Sequence, residues 1–193
     1  HVAAEWHGEK LRYDLNFIGT HFAMNSLAVL AVIDAVGASV DQAVYDLQQL
    51  HPLSGRGESF AVGVEGKTVH IIDDAYNANP ASMTASLKAL GLRSGRKIAV
   101  LGDMLELGEK SFEMHLDILL ELEQNNVDKL YAVGPIMGQV FDLAPPRIQG
   151  AKATSALDVL DDLKSALQEG DWVLFKASHG VGLAALIQKL KGE

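Results

Sequence analysis

Residues 67–90, KTVHIIDDAYNANPASMTASLKAL, decide the fold. Val69 to Ile72 form an apolar run that suits a strand buried on both faces. Asn79 and Pro80 then read as an N-cap and a first helical residue, because proline lacks the N–H that the first turn leaves unpaired anyway. Between strand and helix stand two carboxylates, a tyrosine and two asparagines. They pose one question: a solvated turn with a good cap, or a binding site at the end of a strand. Asn79 accounts for the cap by itself, so Asp74 is expected to have no structural employment.

The same alternation runs to the end of the chain. Strands are predicted at 59–64, 67–73, 97–101, 129–133 and 171–177, with a weak one near 147–150. Amphipathic helices are predicted from Pro80, over 111–124, 135–143, 155–168 and 183–190. Apolar strands alternating with helices specify a mostly parallel, doubly wound α/β sheet. Upstream, residues 1–16 alternate around the turn HGEK as a hairpin, and 19–37 read as a helix stopped by Gly37. Ser39 and Gln42 fit a capping box that opens a second helix. The loop HPLSGRGES is rich in Pro, Gly and Ser, and a domain boundary is placed there, dividing 1–55 from 56–193.

Composition excludes several classes. The chain has 193 residues, 48% of them hydrophobic, with a net charge of −9 and no cysteine. An acidic chain of this kind does not track nucleic-acid phosphates, and thiolate metal sites and disulfides are ruled out. No apolar run reaches the roughly 20 residues that span a bilayer. A first residue of His rather than Met leads us to expect a fragment or a processed piece.

In an open α/β sheet ligands bind beyond the carboxyl ends of the strands. Three polar segments fall there: DDAYNANP, GDMLELG and KASHG. A strand-end aspartate can accept from a ribose diol, which favours a nucleotide site over a plain turn. No G-x-x-x-x-G-K-[ST] loop is found, GVGLAAL matches a glycine fingerprint only loosely, and the seven histidines lack metal-ligand spacing. His70, inside a strand, reads as structural.

DDAYNANPASM, VLGDMLELGEKS followed by His115, and FKASHG together resemble the C-terminal domain of the Mur ligases, a Rossmann-like α/β fold. GTHFAMNSLAVLAV resembles the helix that ends that family's central ATPase domain, and LSGRGE resembles its interdomain linker. The YNANP string is most similar to the branch that joins D-alanyl-D-alanine to UDP-N-acetylmuramoyl-tripeptide. The resemblance implies a bacterial cytoplasmic, ATP-driven amide ligase of peptidoglycan synthesis acting through an acyl phosphate, with no nucleic-acid or membrane partner. It implies that Asn25 contacts adenine, that Arg56 reaches ribose or phosphate, and that Asp74 holds the ribose hydroxyls. Tyr76, Asn77 and Asn79 would shape the cleft, and Lys176, Ser178 and His179 would face the amine-donor side. Magnesium ligands and the phosphate loop would lie outside these residues, leaving this piece inactive alone. Ala177 and His179 stand where the family pattern has Gly and Arg, which puts an anion-binding role for His179 in question. Two rival readings stay open: a sister ligase of the folylpolyglutamate synthase type, and a non-enzymatic nucleotide-binding domain.

Overall fold

The computed structural model describes residues 1–17 and 19–192. The chain divides into two compact units, His1–Pro52 and a second from Leu53 onward. In the first, β1 (Val2–Trp6) and β2 (Glu9–Tyr13) pair antiparallel, with His7 and Gly8 both at positive φ in the tight turn. Such a two-residue turn matches the twist of the strands it joins. Helices α1 (Thr20–Ala35) and α2 (Val40–Gln49) pack with the hairpin around Val2, Tyr13, Leu30 and Ala43. The Tyr13 hydroxyl meets Ser26 Oγ at 2.7 Å inside this core. Gly37, at φ +76, turns the chain between the helices. The capping box forms by half: Ser39 Oγ accepts from Gln42 N, while the Gln42 side chain donates forward to Asp46.

The second unit is a six-stranded sheet. Its strands are β3 (Glu58–Val64), β4 (Lys67–Asp73), β5 (Lys97–Gly102), β6 (Lys129–Val133), β7 (Gln149–Ala153) and β8 (Trp172–Lys176). They lie in the order β3-β4-β8-β5-β6-β7, with β3 antiparallel to β4 and all other pairs parallel. The mostly parallel α/β sheet foreseen from the alternating pattern is therefore present. Side chains alternate between two cores, as strand geometry requires. Ile71, Ile98, Val100, Val173 and Phe175 face α7 (Leu160–Ala166) and α8 (Leu183–Lys191). Ile72, Ala99, Leu101 and Leu174 face α3 (Pro80–Gly91), α5 (Ile118–Gln124) and α6 (Pro135–Leu143). The chain leaves β4 on the α3 face and its neighbour β8 on the α8 face. In open α/β sheets ligands bind beyond the carboxyl ends of strands at such a reversal.

Three elements differ from the pattern reading. The helix foreseen over 111–124 is stepped at Asp117 into α4 (Ser111–Leu116) and α5, where Leu120 N reaches only three residues back. The helix foreseen from 155 begins as a 3-10 turn, Ala156–Val159. Strand β7 starts later than foreseen because Pro145 and Pro146 accept from Ile148 N and Gln149 N in a turn that must finish first. Among the described residues no helix is long and apolar enough to cross a membrane.

Candidate functional site

Asp73 and Asp74 end β4 with opposite duties. Asp73, 4% exposed, accepts from Gly55 N at 3.0 Å and Ser54 Oγ at 3.3 Å through Oδ2, and from Ala75 N through Oδ1. Its carbonyl accepts from Gly57 N, and Tyr76 N donates to Gly55 O, so residues 54–57 are fastened to the strand end. Asp74 points toward the end of β8. Its Oδ2 accepts from Lys176 Nζ at 2.7 Å and from Ser86 Oγ at 2.5 Å, and Oδ1 has no hydrogen bond among the described residues.

Asp74 therefore has structural employment, contrary to expectation. The sheet order seats β8 beside β4 and delivers Lys176 to it. Lys176 is correspondingly no open cleft residue. It is 2% exposed, and its ammonium also donates to Asn77 O at 3.0 Å. A buried ammonium needs such partners, since an unpaired charge in the interior is costly.

Around this pair lie the remaining foreseen residues of the second unit. Tyr76, 48% exposed, lies under the Arg56 guanidinium at 3.9 Å, and its ring centroid is 5.7 Å from that of exposed His179. A cation over an aromatic face is held by the ring quadrupole. Ser178 is buried, with Oγ accepting from Leu105 N at 2.9 Å. Asn77 is exposed and folds its side-chain oxygen onto Ala78 N. Asn79 forms a reciprocal capping box with Ser82 at the start of α3. Asn25 is exposed on α1 in the first unit.

Two residues, Asp103 in the loop after β5 and His115 on α4, have roles that sequence reasoning missed. Asp103, 3% exposed, accepts from Met137 N at 2.7 Å and Ile136 N at 3.3 Å, capping α6 from outside that helix. Its approach explains Gly134, where a Cβ would meet the carboxylate at 2.6 Å. Buried His115 accepts from Met104 N at 2.8 Å through Nε2, so Nδ1 carries the proton and donates to Ser111 O. The quoted motif GDMLELG contained the signal, an aspartate directly after an apolar strand. Gly102 lies against β8: a Cβ there would come within 2.8 Å of Ala177 Cβ and 2.6 Å of Val181 Cγ1.

Among the described residues no three His, Asp or Glu side chains are grouped to hold a metal ion, and Asp73 and Asp74 already serve the linker and Lys176. The residues present do not fit magnesium. They do offer an acceptor oxygen, a guanidinium on an aromatic ring and an exposed imidazole at the carboxyl end of the sheet. Residues 55–179 match the family described as Mur ligase, glutamate ligase domain. The chain belongs to the Mur ligase family.

The Mur ligase relatives resemble this chain over nearly all of it. The UDP-N-acetylmuramoyl-tripeptide--D-alanyl-D-alanine ligase of Mycobacterium leprae is 34% identical, over 93% of this chain and 38% of its own length. The enzyme of the same name from Bacillus subtilis is 29% identical over 90% of this chain and 38% of its own. The crystal structure of MurF ligase from Thermotoga maritima in complex with ADP superposes with a TM-score of 0.83 at 29% identity. It covers 99% of this chain and 43% of that one. The chain thus spans about two fifths of the length of the curated Mur ligases it matches.

Proposed function

We propose that this chain is the C-terminal part of an ATP-dependent ligase that adds D-alanyl-D-alanine to UDP-N-acetylmuramoyl-tripeptide in the bacterial cytoplasm, for peptidoglycan-precursor synthesis. In this reading 1–55 close the central ATP-binding domain and 56–193 form the C-terminal domain. The observation that carries it is Asp74: a strand-end carboxylate with one oxygen anchored and the other open, in a chain similar to a ligase crystallised with ADP.

Oxygen Oδ1 of Asp74 accepts from a ribose hydroxyl, a charge-assisted bond. Arg56, pre-set on Tyr76, approaches the nucleotide as a cation, and Asn25 serves the adenine. The tripeptide carboxylate attacks the γ-phosphorus of ATP and expels ADP, giving an acyl phosphate. The amine of D-alanyl-D-alanine then attacks the acyl carbon, phosphate leaves with the C–O bond electrons, and the amine proton passes to solvent. Such chemistry depends on placed charge and a closed, dry cleft. Tyr76, Asn77 and Asn79 wall that cleft, and His179 faces the donor dipeptide. Magnesium and the γ-phosphate are held by residues outside this chain.

The test is to express the whole reading frame containing these residues and supply ATP, UDP-N-acetylmuramoyl-tripeptide and D-alanyl-D-alanine. The expected product is the UDP-linked pentapeptide, formed with one phosphate per amide. The 193-residue chain alone is expected to release no phosphate. Glutamate addition to a folate instead would establish the sister-ligase reading, and nucleotide binding without turnover the binding-domain reading.

A further inference from the structure

We infer that Lys176 and Ser86 are positioning residues for the nucleotide: by holding Oδ2 of Asp74 they turn Oδ1 toward the ribose hydroxyls. The inference rests on the proposed reading of Asp74 as the ribose acceptor, and adds the two groups that make it an oriented one.

The χ2 torsion of an aspartate is broad and two-fold, so a carboxylate on a short stem swings unless something fixes it. Here two donors converge on a single oxygen, Lys176 Nζ at 2.7 Å and Ser86 Oγ at 2.5 Å. The backbone is held too, because Asp74 N donates to Phe175 O at 3.0 Å. Ser86 has one hydroxyl proton and two acceptors in reach, Asp74 Oδ2 and Ser82 O at 2.8 Å. The charged acceptor takes it, since bonds to ionised groups are about twice as strong as neutral ones.

The donors sit behind the carboxylate. Lys176 is 2% exposed and Ser86 5%, whereas the Asp74 side chain keeps 21% of its surface open. Lys176 cannot reach a ligand phosphate without abandoning both Asp74 and Asn77 O, and that second bond fixes the turn leading into α3. An acceptor ordered before the ligand arrives need not be ordered at the ligand's expense. Loss of either donor should therefore weaken nucleotide use specifically.

The experiment is steady-state kinetics of the full-length ligase with ATP and D-alanyl-D-alanine varied separately. Lys176→Met is expected to raise the KM for ATP about tenfold, with the KM for D-alanyl-D-alanine unchanged within about twofold and kcat lowered less than about threefold. Ser86→Ala should raise the KM for ATP about threefold. Combined with Asp74→Asn, Lys176→Met should add nothing to the single change, because its effect passes through that carboxylate. Three results overturn the proposal: an unchanged KM for ATP with only a lower thermal midpoint, a rise confined to the KM for D-alanyl-D-alanine, or effects of Lys176→Met and Asp74→Asn that multiply. If Lys176→Met does not fold, Ser86→Ala decides, and an unchanged KM for ATP there overturns it. A wild-type ligase that adds no D-alanyl-D-alanine overturns the functional reading, and the positioning roles with it.

Discussion

Neighbouring aspartates at the end of β4 answer to different parts of the chain, and mutation should separate them. Asp74→Ala leaves the Lys176 ammonium buried without its counter-ion, so the domain should lose about 3 kcal/mol of stability in addition to any loss of nucleotide affinity. Urea unfolding of the variant measures the first effect, and a loss below about 1 kcal/mol would contradict the paired burial. The sequence placed Asp74 at a strand end but could not supply its partner. Lys176 is 102 residues away, and only the sheet order, with β8 inserted between β4 and β5, makes them neighbours. Another buried carboxylate, Asp171, is 1% exposed and paired with Arg96 at 2.8 Å. Burial nonetheless pushes its pKa above the ordinary 3.8, with a Gln168 amide and Arg96 pulling the other way. The fold thus favours the protonated acid, so the stability it contributes is complete below pH 3.8 and is lost as pH rises through the folded value. Urea midpoints followed upward from pH 4 should fall less steeply for Asp171→Asn than for the parent chain.

Helices and strands were legible where local chemistry alone fixes them. Asn79 and Pro80 mark the start of α3 in the sequence, and in the structure Ser82 completes a local capping box with Asn79. Asn79→Ala should lower stability by about 1 kcal/mol through the lost cap and leave the thermal cooperativity intact. Calorimetry checks this, and an unchanged midpoint would mean Ser82 alone suffices. Elements shaped by tertiary contact were less legible. The step at Asp117 and the 3-10 entry at Ala156 leave no period in the sequence, because both serve packing of a helix onto a sheet face. Capping of α6 by Asp103 was hidden for the same reason, the cap lying 33 residues before Ile136, in the loop after β5. Helix α1 shows the opposite excess. Met24, Val29 and Val32 are exposed on it while Leu30 is buried.

At the scale of the whole molecule, the fastening of residues 54–57 to Asp73 places the weak point of the chain earlier than the Gly-rich loop suggests. The hydrogen bonds of Gly55, Gly57 and Tyr76 protect the second half of HPLSGRGES. Leu53 is 71% exposed, and the two compact units divide between Pro52 and Leu53. Limited proteolysis should cut at 50–53 and spare 54–57, yielding a resistant piece that begins at or just after Leu53. Cleavage at Arg56 in preference would show that the Asp73 bonds do not hold the linker in solution. Composition put the boundary in this loop, after residue 55, and the compact units divide after Pro52. What composition could not give is that its downstream half belongs to the candidate site, since that follows from Asp73, 18 positions from Gly55.

The contact between Gly102 and Ala177 also constrains history. A methyl group at 102 would sit 2.8 Å from the one already at 177, so the two positions cannot both carry a side chain on this backbone. A lineage acquiring alanine at 177 must hold glycine at 102 beforehand, and once alanine is in place the return path at 102 is closed. Substitutions here have an order. Val181 Cγ1, at 2.6 Å from the same Cβ position, crowds it as well.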